Sequence, residues 1–432
     1  MMSWLDRHRL KLYLRNSIWV FPAANIAAGL AAVALLNRID RAFGWELNLG
    51  VDTARTVMGT VAASMLTLVV VSSSAVLLAV QLATAQLTPR IITLVYRHRI
   101  RKVCLSAFAF TFTFSVGALV RIESTVPLLT SYVAAYGFLI NLALFLYFID
   151  GMGKTLRPGS ALHVVGLAGR DVIQSVYPSK LRKDQPLISQ PLEILKRDPN
   201  RVVINEVDGV VLAFDRRGLK ALAENANCLI ELVPQVGDFV AAGDPLFRIF
   251  DGGETISEDT LRNSIAFGQE RTLEQDPTYA FRIIVDIASK ALSPAINDPT
   301  TAVLAIDQIH HLLRNVGSRS LAQGRETDGR GELRLVYRTP DWEDFVHLAV
   351  TEIRQYGRES IQIMRRLRAM LENLIQTLPE RRAPMLRLEL SLLQTSAKRM
   401  FVDLYDQALA ETGDLQGMGG GEYREPGIPA IA

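Results

Sequence analysis

"TVMGTVAASMLTLVVVSSSAVLLAVQLATAQ", residues Thr56–Gln86, runs for 31 residues without one charged side chain. A helix needs about 20 mostly apolar residues to cross the hydrocarbon of a bilayer. This run exceeds that length, so it either tilts or continues as a helix beyond the membrane. A strand is not an alternative, because an unclosed sheet in lipid leaves backbone groups unpaired. "SIWVFPAANIAAGLAAVALL" (Ser17–Leu36) precedes the run, and "VCLSAFAFTFTFSVGALV" (Val103–Val120) and "LLTSYVAAYGFLINLALFLYFI" (Leu128–Ile149) follow it. Four such stretches in the first third of a chain are hard to bury in any solvent but lipid. They explain why 49% of the 432 residues are hydrophobic and why the mean hydropathy is +0.19. The fold class expected is an α-helical membrane protein with four transmembrane helices, at about 17–36, 56–86, 103–120 and 128–149 of a domain spanning 1–150.

Orientation follows from the basic residues at the ends of the spans. The leading segment carries Arg7, Arg9, Lys11 and Arg15, the second loop Arg90, Arg97, Arg99, Arg101 and Lys102, and the exit from the fourth span Lys154 and Arg157. The other side has only Arg38, Arg41, Arg55 and Arg121. Both termini are therefore expected in the cytoplasm, with the chain multi-pass in a bacterial cytoplasmic membrane. "MMSWLDRHRLKLYLRNSIWVF" has no small-residue cleavage pattern after its apolar part and reads as an uncleaved anchor.

Within Thr56–Gln86, steps of four and three residues pick out Thr60, Ser64, Thr67, Val71, Ser74, Leu78 and Gln81, a small or polar stripe on one helical face. Small residues let helix backbones approach and hydroxyls bond across them. The same residues could instead line a wet path in a homo-oligomer whose second spans ring an axis; Gln81 favours that reading, because an amide at such depth needs a partner or water. Beyond it, in "TPRIITLVYRHRIRK" (Thr88–Lys102), a continuing helix would align Arg90, Arg97 and Arg101 as a cationic mouth. Such residues ordinarily contact anionic headgroups. Around a pore they would enrich anions.

The polar part begins with a helix and linker over 151–201. Glycine-punctuated, strand-like segments follow over 202–252, separated by the helical "RRGLKALAENA". "GDFVAAGDPLF" between Gly237 and Phe247 resembles a hairpin of biotinyl- or lipoyl-type barrel-sandwich domains, so a small barrel-like unit is expected. Those domains modify a lysine at a hairpin tip; here Lys220 sits in a helical pattern, which speaks against a covalent cofactor. A cytosolic helical region is expected over 253–412, and the tail 413–432 is rich in glycine and proline and expected to be disordered. "SRSLAQGRETDGRGELR" (Ser318–Arg334) has loop composition, and one long amphipathic helix is expected from Thr339-Pro340 to about Leu378, another from Pro384 to about Leu409.

Asp276-Pro277-Thr278 and Asp298-Pro299-Thr300 are the same helix-start signal, an N-capping carboxylate before a proline that sacrifices no donor. Pro294 stops the first helix, which leaves a short corner. Asp276, Ser293, Asn297 and Asp298 are thus a structural corner first and a ligand site second.

The remaining chemistry is sparse. A formal charge of +3 does not suggest a nucleic-acid partner. Cys104 and Cys228 are the two cysteines, too few for a disulfide framework. The six histidines lack metal-ligand spacing, and "GMGK" (Gly151–Lys154) lacks the glycine and strand of a phosphate loop. No catalytic residue, metal or cofactor is expected.

"DTARTVMGTVAASMLTL" (Asp52–Leu68), "ATAQLTPRII" (Ala83–Ile92), "VGDFVAAGDPL" (Val236–Leu246) and above all "RTLEQDPTYAFRIIVDIASKALSPAINDPTTAV" (Arg271–Val303) resemble the bacterial membrane-protein family called domain of unknown function 2254. The resemblance implies an integral membrane protein with a cytosolic carboxy-terminal portion and carries no activity. The function expected from the residues is a homo-oligomeric channel or passive conduit with a cytosolic assembly or gating region, whose partners are the bilayer, further copies of the chain and ions. The alternative is a membrane-anchored scaffold or regulator.

Overall fold

The computed structural model of the chain describes residues 3–91, 99–155, 157–181, 196–321 and 324–420. It divides into two compact units, one of Lys11–Ala161 and one of Met1–Leu10 with Leu162–Ala432.

The first unit holds the second half of α1 (Trp4–Asn16) and the helices α2 (Val20–Phe43), α3 (Val51–Gln86), α4 (Arg99–Arg121) and α5 (Leu128–Thr155). Helices α2 to α5 each have the length and apolarity to cross a membrane. Of the four, α4 is central: 56% of its apolar window is buried, against 17–28% for the others. It packs on α2, α3 and α5. Lipid tails are as apolar as leucine, so helices associate here through close packing and hydrogen bonds. Two glycines make that contact possible: a Cβ at Gly29 would lie 2.9 Å from the Phe110 carbonyl oxygen, and one at Gly117 would lie 2.7 Å from Val33 Cγ1. Val33, Met58 and Phe114 fill one end of the unit, and Val76, Phe108 and Phe148 the other. Buried Asp40 near the end of α2 caps α5, accepting from the Leu129 and Thr130 backbone N–H groups at 2.9 and 3.0 Å and from the Thr130 hydroxyl at 2.8 Å. In mid-span, buried Asn141 donates to Thr111 Oγ1 at 2.7 Å.

The second unit is mixed. After α6 (Pro158–Val176) come β1 (Arg201–Ile204), β2 (Gly209–Phe214), α7 (Arg216–Asn225), β3 (Leu229–Leu232), β4 (Phe239–Val240), β5 (Pro245–Phe250), α8 (Glu258–Arg262) and β6 (Ile265–Gly268). Then follow α9 (Pro277–Ala291), α10 (Pro299–Gly317), β7 (Arg325–Thr327), β8 (Leu333–Tyr337), α11 (Trp342–Tyr356), α12 (Ile361–Thr377), α13 (Ala383–Met400) and α14 (Leu404–Ala410). The strands make a five-stranded sheet in the order β1-β5-β3-β8-β7 and a three-stranded sheet in the order β4-β2-β6. Val211, Ile230, Phe247 and Leu335 share the core that these strands enclose with α7. The small barrel expected over 202–252 is not found closed among the described residues. Strand β3 instead pairs in parallel with β8, Ile230 opposite Leu335, so the sheet recruits a strand from far along the chain.

Three boundaries differ from the sequence reading. The segment 318–334, expected as a loop, contains β7 and the start of β8, paired antiparallel. The long helix expected from 339 to 378 is two, α11 and α12, broken where the Gly357 N–H closes on the Ile353 carbonyl at 2.8 Å and Ser360 caps the next start. The helix expected from 384 to 409 is likewise split, α13 ending at Met400 and α14 starting after the Asp403 cap.

Helix α9 is the core of the helical layer, with Ile283, Ile284, Val285 and Ile287 fully buried. It packs on α10 and α11. Its exposed edge holds Arg282, which donates to Asp286 at 2.6 Å and to both Glu352 oxygens at 2.6 and 2.8 Å. Residues 413–420 of the expected disordered tail lie against α12. Arg365 donates to the Thr412, Gly419 and Gly420 carbonyls, and buried Asp414 accepts from the Gly417 and Gly419 N–H groups. Residues 421–432 lie outside the described residues.

Candidate functional site

Three places answer to the sequence reading. The first is the stripe on α3. Thr60, Thr67, Val71, Ser74, Leu78 and Gln81 are exposed on the single chain and Ser64 is half-buried. The opposite row, Met58, Val61, Met65, Ser72, Val76 and Ala79, is the buried one. So the polar face is not the contact with the other helices of its unit. Thr60 and Thr67 donate to the Thr56 and Ala63 carbonyls at 2.8 and 3.0 Å, the usual back-bond of a helical threonine. Gln81 makes no such bond among the described residues, and its amide faces outward.

The second is the cationic mouth, which the structure does not assemble as expected. Helix α3 ends at Gln86, because Pro89 lacks an N–H and biases Thr88 away from helical geometry. A short 3₁₀ turn, Pro89–Ile91, follows. Arg90 is exposed there, and Arg97 lies outside the described residues. Arg101 belongs to α4 and is 3% exposed, turned inward, with its Nη1 3.9 Å from Met152 Sδ. Arg90 and Arg101 therefore do not share one helix face. Lys102, the next residue, is anchored instead to the Leu14 and Arg15 carbonyls at 3.1 and 2.7 Å.

The third is the corner between α9 and α10. The side chains that the sequence singled out are consumed by the corner itself. Ser293 Oγ donates to the Lys290 carbonyl at 2.7 Å, the Asp298 N–H to the Ala291 carbonyl at 2.7 Å, and Asp298 Oδ1 accepts from the Thr301 N–H at 3.0 Å. Asn297 takes a left-handed φ of 47° to turn the chain. Asp276 is not part of this cluster: it caps the far end of α9, about 22 Å away at 1.5 Å per residue. Lys220 sits on α7 in an ion pair with Glu224 at 3.6 Å, not at a hairpin tip.

Around Asp276, however, there is a cavity of about 260 Å³. It lies where the N-terminal ends of α7 and α9 meet the ends of β2 and β8, lined among others by Trp4, Arg217, Asp276, Tyr337 and Arg338. Phe214 and Tyr337 pack edge to face, ring centroids 4.9 Å apart. Gln275 closes the end of β2 by accepting from the Phe214 N–H at 3.1 Å and donating to the Phe214 carbonyl at 3.2 Å, in place of a strand. Asp276, 2% exposed, accepts from the Tyr279 N–H at 3.1 Å through Oδ1. Its Oδ2 is 3.0 Å from Arg271 Nε, a charge contact in which the N–H is misdirected, so that neither atom has a hydrogen bond. Arg271 fits there because residue 237 is glycine, with φ 95°; a Cβ would occupy the space of the guanidinium. Burial pushes the Asp276 carboxyl above its ordinary value, against the opposing pull of Arg271 and of the Thr278 and Tyr279 donors. Apart from Asp276, no spacing in the sequence marks these residues, since they come from five separate segments. Among the described residues, no group of three His, Cys, Asp or Glu side chains is placed to hold a metal.

Four helices long and apolar enough to cross a bilayer, with a mixed α/β unit, are the architecture of a membrane protein. The chain belongs to the family of predicted membrane proteins DUF2254, which matches residues 15–373. It is 27% identical over 431 residues to an uncharacterized protein of Mycobacterium bovis, covering 94% of this chain and 81% of that one. An uncharacterized protein of Mycobacterium tuberculosis strain H37Rv is similar to the same degree and extent. No solved structure matches the chain significantly.

Proposed function

We propose that the protein is a homo-oligomeric passive conduit of a bacterial cytoplasmic membrane, in which α3 of each copy faces a shared axis. One observation carries this reading: the polar row of Thr60, Thr67, Ser74 and Gln81 is on the exposed side of its unit. Lipid tails offer the Gln81 amide no partner, whereas water or a neighbouring copy does. Placement of the segments before and after the spans on one side of the membrane has support in Leu5, which is buried with Leu212 and Ala266, residues that follow an even number of spans; the excess of basic residues on that side motivates the cytoplasm. Exposed Arg90 at the end of α3 motivates an anion preference.

Recording from planar bilayers containing the purified full chain tests the reading. A unitary conductance is expected, with a reversal potential shifted toward that of the anion in a salt gradient, and Gln81→Leu or Thr67→Leu is expected to lower it. Currents no larger than those of bare bilayers across salts and voltages overturn it. A second reading, a membrane-anchored regulator, draws on the cavity beside Asp276, since a pocket in the α/β unit gives a tethered domain something to sense. A span-deleted chain that still restores the cellular phenotype favours that reading.

A further inference from the structure

The cavity beside Asp276 has a gradient of exposure and charge from one wall to another. At the inner wall is the buried Asp276 carboxylate, with an oxygen that lacks a hydrogen bond. At the outer wall are the exposed side chains of Arg217 and Arg338. Among the described residues neither arginine has an acidic partner, whereas Arg216, in the same lining, is paired with Glu326 at 3.4 Å. Asp215 is occupied in capping α7, accepting from the Gly218 N–H at 3.0 Å. The lining also includes the Trp4 indole, which stacks on His8 with ring centroids 4.9 Å apart, and the buried ring of Tyr337.

Each wall asks for a different part of a ligand. Two guanidinium groups without ion-pair partners recognise a phosphate or carboxylate by charge-assisted hydrogen bonds. An aromatic wall takes a planar body. A buried carboxylate oxygen whose charge contact, the Arg271 guanidinium at 3.0 Å, gives it no hydrogen bond takes an N–H or O–H donor. We propose that this cavity binds a small planar organic anion with a hydrogen-bond donor at the end away from its charge, the chemistry of a nucleoside monophosphate. Its anionic group lies between Arg217 and Arg338, its ring lies along Trp4 and Tyr337, and its donor reaches Asp276 Oδ2. Because Trp4 belongs to the first turn of α1, the ligand also orders the start of that helix. The proposal is independent of the conduit reading: binding without conductance leaves it standing, and conductance without binding overturns this proposal alone.

The test uses the full chain in detergent, titrated separately with AMP, GMP, CMP and UMP and followed by calorimetry and tryptophan emission. The uncharged nucleosides and inorganic phosphate are the comparison arms. At least one nucleotide is expected to saturate at about 1 mM or below, with phosphate alone and the matching nucleoside each at least about tenfold weaker. Substituting Arg217→Ala and Arg338→Ala together, both exposed and outside the core, is expected to weaken binding at least about tenfold. Asp276→Asn keeps the helix cap and is expected to change which base binds best, because an amide donates as well as accepts. Trp4→Phe removes the emission change while heat remains. Saturation by none of the four nucleotides, phosphate binding as tightly as they do, or an arginine double variant that binds like the parent overturns the proposal.

Discussion

At Asp276, burial and hydrogen bonding pull in opposite directions, and burial prevails. A carboxyl whose folded pKa lies above its unfolded one binds more protons when folded, so it contributes stability at acid pH that is lost as the pH rises through the raised value. Asp276→Asn removes that dependence. The difference in unfolding midpoint between parent and variant should therefore grow from the ordinary carboxylate range upward and then level off, measured by thermal unfolding of the full chain over a pH series. Glu389 presents the complementary case. It is fully buried against Arg354 at 3.1 Å, and removing one member of such a pair strands the other. Glu389→Ala should cost about 3 kcal/mol, whereas Glu380→Ala, in an exposed pair with Arg387, should cost well under about 1 kcal/mol. Chemical denaturation separates the two. Asn297, at φ 47°, gives a third check: Asn297→Gly should be nearly neutral and Asn297→Ala should cost about 1 kcal/mol. The caps at Asp276 and Asp298 were legible because an Asp-Pro pair acts on its own backbone. Arg217, Arg338 and Trp4 were not, since only tertiary packing brings them to one cavity.

Among elements, legibility followed the range of the forces involved. The four spans are visible because lipid acts on composition, and each extends a few residues past its apolar run. Which face each span buries is set by neighbours, and the stripe on α3 proved to be on the outer side. The 3₁₀ turn after Gln86 was signalled by Pro89, yet a periodic arginine pattern argued for continuity; the proline won because a missing N–H is a local and certain loss. Strands β7 and β8 were hidden among glycines and charged residues, since a short strand that borrows its partner from residue 230 needs little apolar periodicity of its own. Helix packing at Gly117 yields a prediction at this scale. Gly117→Leu drives a side chain into Val33 and should separate α2 from α4, lowering the unfolding temperature of the detergent-solubilised chain by an amount equivalent to about 1–3 kcal/mol. Gly59→Leu, in open space on α3, is the control and should change it little.

For the molecule as a whole, the conduit reading requires more than one copy of the 47.8 kDa chain. Light scattering of the purified particle should give an integral multiple of that mass after subtraction of detergent, and images should show rotational symmetry. Replacing Thr60, Thr67 and Ser74 together with leucine should leave each chain folded, because those positions are exposed, while reducing the multiple. A monomeric parent particle removes the shared axis.

Leu5 finds its neighbours in Leu212 and Ala266. That leucine precedes all four apolar helices in the chain, and its partners follow them, so they emerge only after all four have been synthesised. Until then Leu5 lacks the two buried neighbours it has in the finished fold. This contact therefore waits for synthesis of the four helices between its partners, and with about two hundred residues closed between them it belongs to the slow, non-local part of folding.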